Sequence, residues 1–531
     1  MKGKTAETLP ERMPAWQLWV VCEVAAWGLG LGFVQVVFDG LNQVFLFWTR
    51  FDAVVLAAML SLEGTLAWGC ALALRRIAGK KVSYALQPLF FFWLALVVAN
   101  WFPMGRLSLM ARFHWEWLTG VRYYLIIWGV GLALSMAAAA FPAGRRFSCR
   151  AWRVLSWGWM LPLLLAAALV ATAPARAPAS RPVSSLGPNG EGNGKAPVLM
   201  VILDMVAASE AIDPDGEVAE DLPNLRAFAG VSTYCSETRA PGLQTLESIP
   251  GICLQRAVGV PRVAGGGRIL WPPRGNPSEQ LEIADCGESL PRTVRRAGGR
   301  SALCSYYLPW ADWFAGEQAW DAASTRCFYG MGAVGARGWR GRVLRAALVL
   351  EKWNEASKTP LAALLKVSKV LIPAARRYIA SLSEDIQADG AAYLRRSFSR
   401  GDFALLHQPL PHPPFVFHEK GAFDPFIVGD AAAYRAQFRW ADALFGEWMA
   451  ALRESGLWDE AWVLVTSDHG LHDLSWSRAP ERHDKSHVPL WVKAPGQTAP
   501  EVLDQPVRLD ALGELPFSIW PFAAPDDDVR Q

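Results

Sequence analysis

Five long apolar stretches within the first 173 residues limit what this 531-residue chain can fold into. They run over Ala15–Phe38, Ala53–Leu74, Leu86–Met104, Leu118–Phe141 and Val154–Ala173. Each is close to the roughly 20 residues that an α-helix needs to cross the hydrocarbon core of a bilayer. Buried helices of a soluble domain are the alternative, but five such lengths in series would require a very large core to cover them. We therefore expect an α-helical transmembrane bundle of five helices over residues 1–173.

The charges between these stretches predict how the helices are oriented. Lys and Arg are concentrated in two loops, one after the second stretch and one after the fourth, at Arg75, Arg76, Lys80, Lys81, Arg145, Arg146, Arg150 and Arg153. Because cytoplasmic loops carry an excess of Lys and Arg, both loops and the N-terminus are expected in the cytoplasm, and everything after residue 173 outside it. Glu23 and Glu63 lie within the first two stretches. They are expected to face the bundle interior, as hydrogen-bond partners between helices or in substrate handling.

The rest of the chain divides into a linker and a second domain. Residues 174–196 are rich in Pro, Gly, Ser and Ala, which predicts a flexible linker. Residues 197–531 have more even polarity and are long enough to form a domain of their own. The net charge of +3 is too small to indicate a nucleic-acid-binding protein, so no nucleic acid is expected as a partner. The sequence does not determine the oligomeric state.

The second domain alternates strand and helix patterns. Short apolar runs typical of buried parallel strands occur at Pro197–Met205, Ser301–Tyr307, Phe403–Leu410, Ala461–Asp468 and Val488–Gly496. Helical patterns occur at Leu222–Gly230 and Ala436–Gly456, and Gly341–Arg400 is predicted to be largely helical. Strands alternating with helices predict an α/β domain around a mostly parallel central sheet. Ligands of such sheets bind beyond the carboxyl ends of the strands.

Acidic and imidazole side chains stand where two of these strands end. Asp204 closes the first strand, and Asp468 and His469 follow the run VLVTS. Carboxylate oxygens and imidazole nitrogens suit a divalent metal ion, Zn²⁺ or Mn²⁺ first and Mg²⁺ or Ca²⁺ as alternatives. We expect one or two such ions. Seven of the eight histidines support this site, since they fall between positions 407 and 487: His407, His412, His418, His469, His472, His483 and His487.

Six motifs in a fixed order resemble those of a known enzyme family. They are LMVILD, LPNLRAFA, RAPGLQTLESIPGI, HQPLPHPPF, VLVTSDHG and HVPLWVKAPG. Together they resemble the sulfatase-like branch of the alkaline phosphatase superfamily. Five membrane spans ahead of such a domain further resemble the lipoteichoic acid synthases and the bacterial phosphoethanolamine transferases. The resemblance implies an alkaline-phosphatase-like domain held at the bacterial inner (cytoplasmic) membrane by a multi-pass anchor, with its catalytic part periplasmic or otherwise extracytoplasmic.

The resemblance also implies a metal-bound nucleophile. Asp204, Asp468 and His469 correspond to ligands of one ion, and Thr245 corresponds to a nucleophile that binds the same ion. Physical chemistry supports that role, because a dication can hold a threonine hydroxyl as its alkoxide and a helix N-terminus stabilises the negative charge. An ordinary helix N-cap is the alternative interpretation of Thr245, and both roles can hold at once.

Four further histidines receive roles from the same resemblance. His412 and His407, in the HxxxxH stretch, correspond to residues that hold the substrate phosphate or a second ion. His412 is also expected to act in catalysis, as a general acid or base near neutral pH. His483 corresponds to a further metal ligand. His487 is its rival for that position and is otherwise expected to bind substrate.

The implied activity is a metal-dependent transfer of a phosphorylated headgroup, of the phosphoglycerol or phosphoethanolamine type. A phospholipid is the donor, an envelope glycan or lipid is the acceptor, and a phosphothreonine is the intermediate. A membrane-tethered phosphodiesterase or phosphatase that uses water is the alternative, and a non-catalytic envelope protein is a remote one. The chain lacks the CxPSR motif of true sulfatases, so sulfate-ester hydrolysis is not expected. It also has Asp204 where the transferases usually have Glu, which leaves the headgroup open.

Overall fold

The computed structural model describes two helices near the N-terminus and most of residues 194–519. The described residues are 15–38, 50–78, isolated positions from 133 to 171, 194–263, 269–274, 279, 281–282, 289–308, 310–314, 319–327 and 372–519. The chain divides into two compact units. The described helices before residue 171 belong to the first, and the described residues from 194 onward belong to the second, called the α/β domain below. The predicted linker lies almost wholly outside the described residues, so its boundaries stay predictions.

The first unit contains a pair of contacting helices. α1 (Ala15–Phe38) coincides with the first apolar stretch, and α2 (Arg50–Ala78) contains the second. Glu23 of α1 is buried and accepts a hydrogen bond from the Thr65 hydroxyl of α2 at 3.0 Å. Gly64 permits this approach, because a Cβ there would lie 2.7 Å from the Glu23 Cα. Glu23 is therefore a hydrogen-bond partner between helices, which is one of its two expected roles.

The other predicted spans are not tested. The third stretch and all but isolated positions of the fourth and fifth lie outside the described residues, and so does the side chain of Glu63. Within the described ranges, no helix combines the length and the apolar character needed to cross a bilayer. The five-helix bundle and its orientation stay predictions.

A mostly parallel sheet forms the centre of the α/β domain. The described strands of the domain are β1 (Val198–Leu203), β2 (Thr233–Arg239), β3 (Arg262–Val263), β4 (Ile269–Leu270), β5 (Arg300–Tyr307), β6 (Ala322–Cys327), β7 (Asp402–Gln408), β8 (Trp462–Ser467), β9 (Leu490–Lys493) and β10 (Glu501–Arg508). Among them, β3 and β4 pair separately, and the other strands form one sheet in the order β10-β2-β9-β8-β1-β7-β5-β6. Within this sheet only β9 runs antiparallel to its neighbours. The predicted α/β class and mostly parallel sheet are confirmed.

Helices connect these strands. They are α3 (Ala208–Ala211), α4 (Pro223–Ala229), α5 (Thr245–Leu254), α6 (Leu290–Arg296), α7 (Trp310–Trp313), α8 (Ile372–Arg396) and α9 (Ala431–Glu454). The predicted helix at 222–230 corresponds to α4, and the one at 436–456 to most of α9. Part of the predicted helical stretch at 341–400 is α8, while positions 341–371 lie outside the described residues.

The position of β1 decides where the site lies. β1 is buried along its whole length between β7 and β8, with Leu203 in register with both Gln408 and Ser467. All three strands are parallel, so their carboxyl ends meet at one edge of the sheet. The residues that follow β1 and β8, Asp204 and Asp468, therefore emerge side by side.

Candidate metal centre

Two carboxylates and one imidazole converge at this edge of the sheet. Asp204, Asp468 and His469 each offer one ligand atom, and these atoms lie within 4.8 Å of one another. All three side chains are fully buried. Asp204 lies more than 260 positions before the other two, and it meets them because β1 and β8 are adjacent in the sheet. The structure thus brings together three of the residues expected to share an ion.

The carboxyl oxygens of this group lack the partners that buried charges need. Both oxygens of Asp204 and the Oδ2 of Asp468 are buried without a hydrogen-bond partner among the described residues. Asp468 Oδ1 differs, because it accepts the backbone N–H groups of Met205 at 3.1 Å and His469 at 2.9 Å. Burial, and then the charge of Asp468, raise the pKa of Asp204 well above its ordinary value. A divalent cation fits this donor set, since it would supply the missing positive charge.

The hydrogen bonds of His469 leave one ring nitrogen available to a metal. Its Nδ1 donates to the Gly470 carbonyl at 2.8 Å, which places the lone pair on Nε2. That Nε2 lies 3.6 Å from Asp204 Oδ1 and 3.5 Å from Asp468 Oδ2. Burial lowers the pKa of His469 from 6.5 to about 4, so the ring is neutral at pH 7. A neutral imidazole with a free lone pair is the form that binds a metal.

Thr245 contributes its hydroxyl from the N-terminus of α5. Its Oγ1 is 3.3 Å from His469 Nε2, and the side chain is buried. The N-cap of α5 is Gln244, so Thr245 is the first helical residue and the N-cap interpretation is wrong. Because α5 starts there, the backbone N–H groups of Thr245 and Leu246 have no helical acceptor and can bind an anion.

Two side chains of α5 hold the turn that precedes Thr245. Ser248 Oγ accepts the Gly242 N–H at 3.1 Å, and Glu247 Oε2 accepts the Leu243 N–H at 3.0 Å. Gly242 is necessary for this arrangement, because a Cβ at that position would lie 2.6 Å from Glu247 Oε2. Side chains within the motif APGLQTLES therefore hold the turn that positions its threonine.

His407 and His412 lie next to the carboxylate group. His407, on β7, places its Nε2 3.9 Å from Asp204 Oδ2, while its Nδ1 is 3.0 Å from Ser305 Oγ. Burial lowers its pKa to about 4. His412 donates from Nδ1 to the Pro413 carbonyl at 2.6 Å, and desolvation followed by the nearby His469 lowers its pKa to about 3. Both rings are therefore neutral at pH 7 and close enough to serve a bound phosphate or a second ion.

His472 is a site residue that the sequence analysis left without a role. Its ring centre lies 4.5 Å from that of His469 and 6.1 Å from that of His412. Its side chain is exposed, so it stands at the mouth of the site above the buried group. The sequence feature that could have identified His472 is its position three residues after His469 in DHGLH, within the histidine cluster.

His483 and His487 do not join the three-residue group. The Nε2 of His483 donates to the Leu471 carbonyl at 3.1 Å, and that of His487 donates to the Ser236 carbonyl at 2.7 Å. Among the described residues, the group that could hold a metal contains neither of them. Their assignments as metal ligand and substrate-binding residue stay predictions. His418 is exposed near Asp424, as expected for one of the ordinary surface histidines.

The family comparison matches the second half of this domain. Residues 368–513 match the family model described as Sulfatase. This part of the α/β domain is therefore sulfatase-like. The matched region carries Asp468, His469 and the clustered histidines, and Asp204 after β1 and Thr245 at the start of α5 join the same site from outside that region. The match supports the predicted resemblance to sulfatases over these residues. Comparison with curated proteins gives no match.

Several solved structures are similar to this chain. The phosphonate monoester hydrolase of Agrobacterium radiobacter is 15% identical, with a TM-score of 0.36 over 60% of this chain and 72% of that one. The lipoteichoic acid synthase LtaP from Listeria monocytogenes is 15% identical, with a TM-score of 0.35 over 62% and 73%. Ps i-CgsB in complex with k-i-k-neocarrahexaose is 13% identical, with a TM-score of 0.40 over 60% and 70%. Similarity at this level does not specify a reaction.

Proposed function

We propose that the chain is a metal-dependent transferase that moves a phosphorylated headgroup from a phospholipid to an envelope glycan or lipid. The headgroup is of the phosphoglycerol or phosphoethanolamine type. The observation that carries the proposal is the position of the Thr245 hydroxyl, 3.3 Å from His469 Nε2 and at the start of a helix. A hydroxyl buried beside two carboxylates and a neutral imidazole has the surroundings of a metal-activated nucleophile.

The chain supplies the ligands, the nucleophile and an anion site. Asp204, Asp468, His469 and Thr245 would hold a dication, Zn²⁺ or Mn²⁺ first, whose charge favours the alkoxide of the threonine. Thr245 Oγ1 then forms a bond to the phosphorus, and the bond from phosphorus to the diacylglycerol oxygen breaks. Diacylglycerol leaves with the proton that the threonine hydroxyl gave up, and the N–H groups at the start of α5 stabilise the phosphoryl oxygens.

The second half of the reaction frees the threonine. An acceptor hydroxyl attacks the phosphorus, the bond to Thr245 Oγ1 breaks, and the hydroxyl proton passes to a base. His412 and the newly found His472 are placed to accept that proton, since both rings stand beside His469. In the hydrolase alternative, water takes the place of the acceptor hydroxyl and the same residues act.

A lipid donor fits the predicted membrane anchor. Five apolar stretches ahead of the α/β domain would hold the site close to the bilayer and raise the effective concentration of a lipid substrate. The proposed location is the bacterial inner membrane, with the N-terminus in the cytoplasm and the α/β domain in the periplasm or otherwise outside. The positive charges of the two loops support this orientation.

The direct test is mass spectrometry of the full-length protein after incubation with phospholipid vesicles. We expect a headgroup phosphate on Thr245 and an equal release of diacylglycerol. Thr245→Ala should show neither, and chelation of divalent ions should abolish both. Thr238→Ala is the matched control, because Thr238 is equally buried but bonds to the Cys235 carbonyl within β2. Modification at another residue, unchanged in Thr245→Ala, would contradict the proposal.

A second arm of the experiment separates transfer from hydrolysis. A glycan or lipid acceptor is added to the labelled enzyme, and the products are compared with those formed in buffer alone. Headgroup transfer to the acceptor, faster than release to water, supports the transferase. Release to water at the same rate with and without acceptors identifies the hydrolase instead.

A further inference from the structure

The residue after Asp204 has an unusual backbone conformation. Met205 has a φ of 67°, in the left-handed region that side chains other than glycine rarely adopt. Its side chain is completely buried. Such a conformation persists only where the surrounding structure holds it in place.

The backbone N–H group of Met205 holds the candidate metal centre together. That N–H donates to Asp468 Oδ1 at 3.1 Å, which turns the other oxygen of Asp468 toward Asp204 and His469. The next N–H group, of Val206, donates to Ser467 Oγ at 2.8 Å, and Ser467 Oγ donates to the His469 carbonyl at 2.9 Å. The turn after β1 thus fixes the turn after β8.

A buried tyrosine holds the same residue by its carbonyl group. The hydroxyl of Tyr434, on α9, donates to the Met205 carbonyl at 3.0 Å. Its ring is fully buried and packs edge-on against Phe415, with centres 6.3 Å apart. Burial raises the pKa of Tyr434 well above its ordinary value, so the hydroxyl keeps its proton and stays a donor. Tyr434 does not belong to the three-residue group, and its hydrogen bond to the Met205 carbonyl links it to that group.

We propose that Tyr434 is a positioning residue for the metal centre, which it orients by holding Met205 in the left-handed conformation. This inference rests on the proposed metal-dependent function. Without the Tyr434 hydroxyl, Met205 relaxes toward ordinary φ values and its N–H group turns away from Asp468. The carboxylate is then free to rotate, and the ligands are no longer arranged before the ion arrives. Residues that orient metal ligands in this way typically change metal affinity by about 10- to 100-fold.

A simple packing role for Tyr434 predicts a different result, and Tyr393 allows the comparison. Tyr393, on α8, is also buried and donates its hydroxyl to Asp402 Oδ2 at 3.4 Å. Asp402 lies at the start of β7, at the opposite end of that strand from His407. Tyr434→Phe and Tyr393→Phe therefore each remove one buried hydroxyl, but only the first contacts the turn beside the metal ligands.

The experiment measures metal affinity and stability of the full-length protein. Zn²⁺ or Mn²⁺ is titrated by competition with a chelator, and apo unfolding is followed in parallel. We expect both variants to lower apo stability, but only Tyr434→Phe to raise the dissociation constant, by about tenfold or more. The absorption spectrum of bound Co²⁺ should also change in Tyr434→Phe alone. Equal affinities for wild type and Tyr434→Phe would overturn the inference while leaving the proposed function intact. A wild type that binds no dication would overturn both.

A double variant tests the Met205 step. It also keeps the inference testable if the Tyr434→Phe protein is poorly stable. Glycine adopts a φ near 67° without support, so Met205→Gly removes the strain that Tyr434 is proposed to counter. In the Met205→Gly background, Tyr434→Phe should weaken metal binding less than it does in the wild type. Equal losses in the two backgrounds would overturn the proposed route through Met205.

Discussion

At the scale of single residues, the buried carboxyl groups of the site cost folding free energy that a bound metal ion would offset. Asp204 and Asp468 bury two carboxyl groups side by side, and three of their four oxygens have no partner among the described residues. An uncompensated buried charge is strongly destabilising. The same pair becomes favourable once a dication lies between them. Residues proposed to bind a metal therefore weaken this domain when no metal is bound.

This trade-off predicts opposite effects of Asp204→Asn in the two metal states. The pKa of Asp204 is raised, so its ionised form is disfavoured in the folded apoprotein, and this one carboxyl group destabilises the apoprotein more at neutral pH than at low pH. In a chelator at pH 7, Asp204→Asn should therefore raise the melting temperature. With saturating Zn²⁺ or Mn²⁺ the wild type should be the more stable protein, because the variant loses a ligand. A variant that is destabilised equally with and without metal would contradict this account.

Gly242→Ala should separate the position of the nucleophile from the metal ligands. A Cβ at residue 242 would lie 2.6 Å from Glu247 Oε2, so the side chain that holds the turn before Thr245 must move. We expect a loss of stability of about 1–3 kcal/mol and a large loss of Thr245 modification, with metal affinity retained. Gly230→Ala is the control, since a Cβ there meets ordinary contacts of 3.5 Å or more. Full modification of Thr245 in Gly242→Ala would show that this turn does not position it.

At the scale of helices and strands, sequence patterns predicted the centre of the sheet well and its edges poorly. β1, β7 and β8 are continuous apolar runs because both of their faces are buried, and that pattern is readable. The strands β2, β6 and β10 were missed. β10, EVLDQPVR, is an edge strand with most side chains exposed and a proline inside it. The reversed direction of β9 also leaves no mark on its composition.

The same difference explains which site residues could be predicted. Asp204, Asp468 and His469 follow the central strands directly, so the expectation that they meet followed from their place at strand ends and from ligand chemistry. Thr245 needed a family resemblance, since a threonine at a helix start is ordinarily structural. Tyr434 acts through a backbone carbonyl of a residue 229 positions away, and no local pattern encodes such a contact.

An ion cluster joins α9 to the segment that precedes α4. Asp221 accepts hydrogen bonds from Arg435 and, at 2.8 Å, from Arg439. Partial burial alone would raise the pKa of Asp221, but the hydrogen bonds and charges of the two arginines outweigh it and lower the pKa to about 2. The ionised carboxylate therefore stabilises this helix contact.

Asp221→Asn should lower stability in a pH-dependent manner. Because the folded pKa is depressed, the stabilisation is fully present above the unfolded value of about 3.9 and is lost as the pH falls toward 2. Since the side chain is partly exposed, we expect a difference of about 1–2 kcal/mol at pH 7 that shrinks below pH 4. Urea unfolding at several pH values measures it. The exposed Asp215→Asn is the control, and a difference that stays constant down to pH 3 would contradict this role.

At the scale of the whole molecule, the proposed membrane anchor and the proposed phospholipid donor both lie in the bilayer. A site tethered to a bilayer encounters lipid substrates at their surface concentration rather than their bulk concentration. Dilution of the donor with an inert lipid should therefore slow diacylglycerol release, even when the total donor in the sample is constant. The measurement uses the full-length protein reconstituted in vesicles. A rate that depends only on total donor would argue against a membrane-held site.

The central claim is that Asp204, Asp468, His469 and Thr245 share one dication. Diffraction from crystals of the full-length protein, recorded at the absorption edge of bound Zn²⁺ or Mn²⁺, tests it most directly. We expect one anomalous peak at about 2.0–2.2 Å from a carboxylate oxygen of Asp204, from Asp468 Oδ2 and from His469 Nε2, with Thr245 Oγ1 facing it. A metal peak away from these atoms, or carboxylates of Asp204 and Asp468 that bind no ion at saturating metal, would contradict the claim.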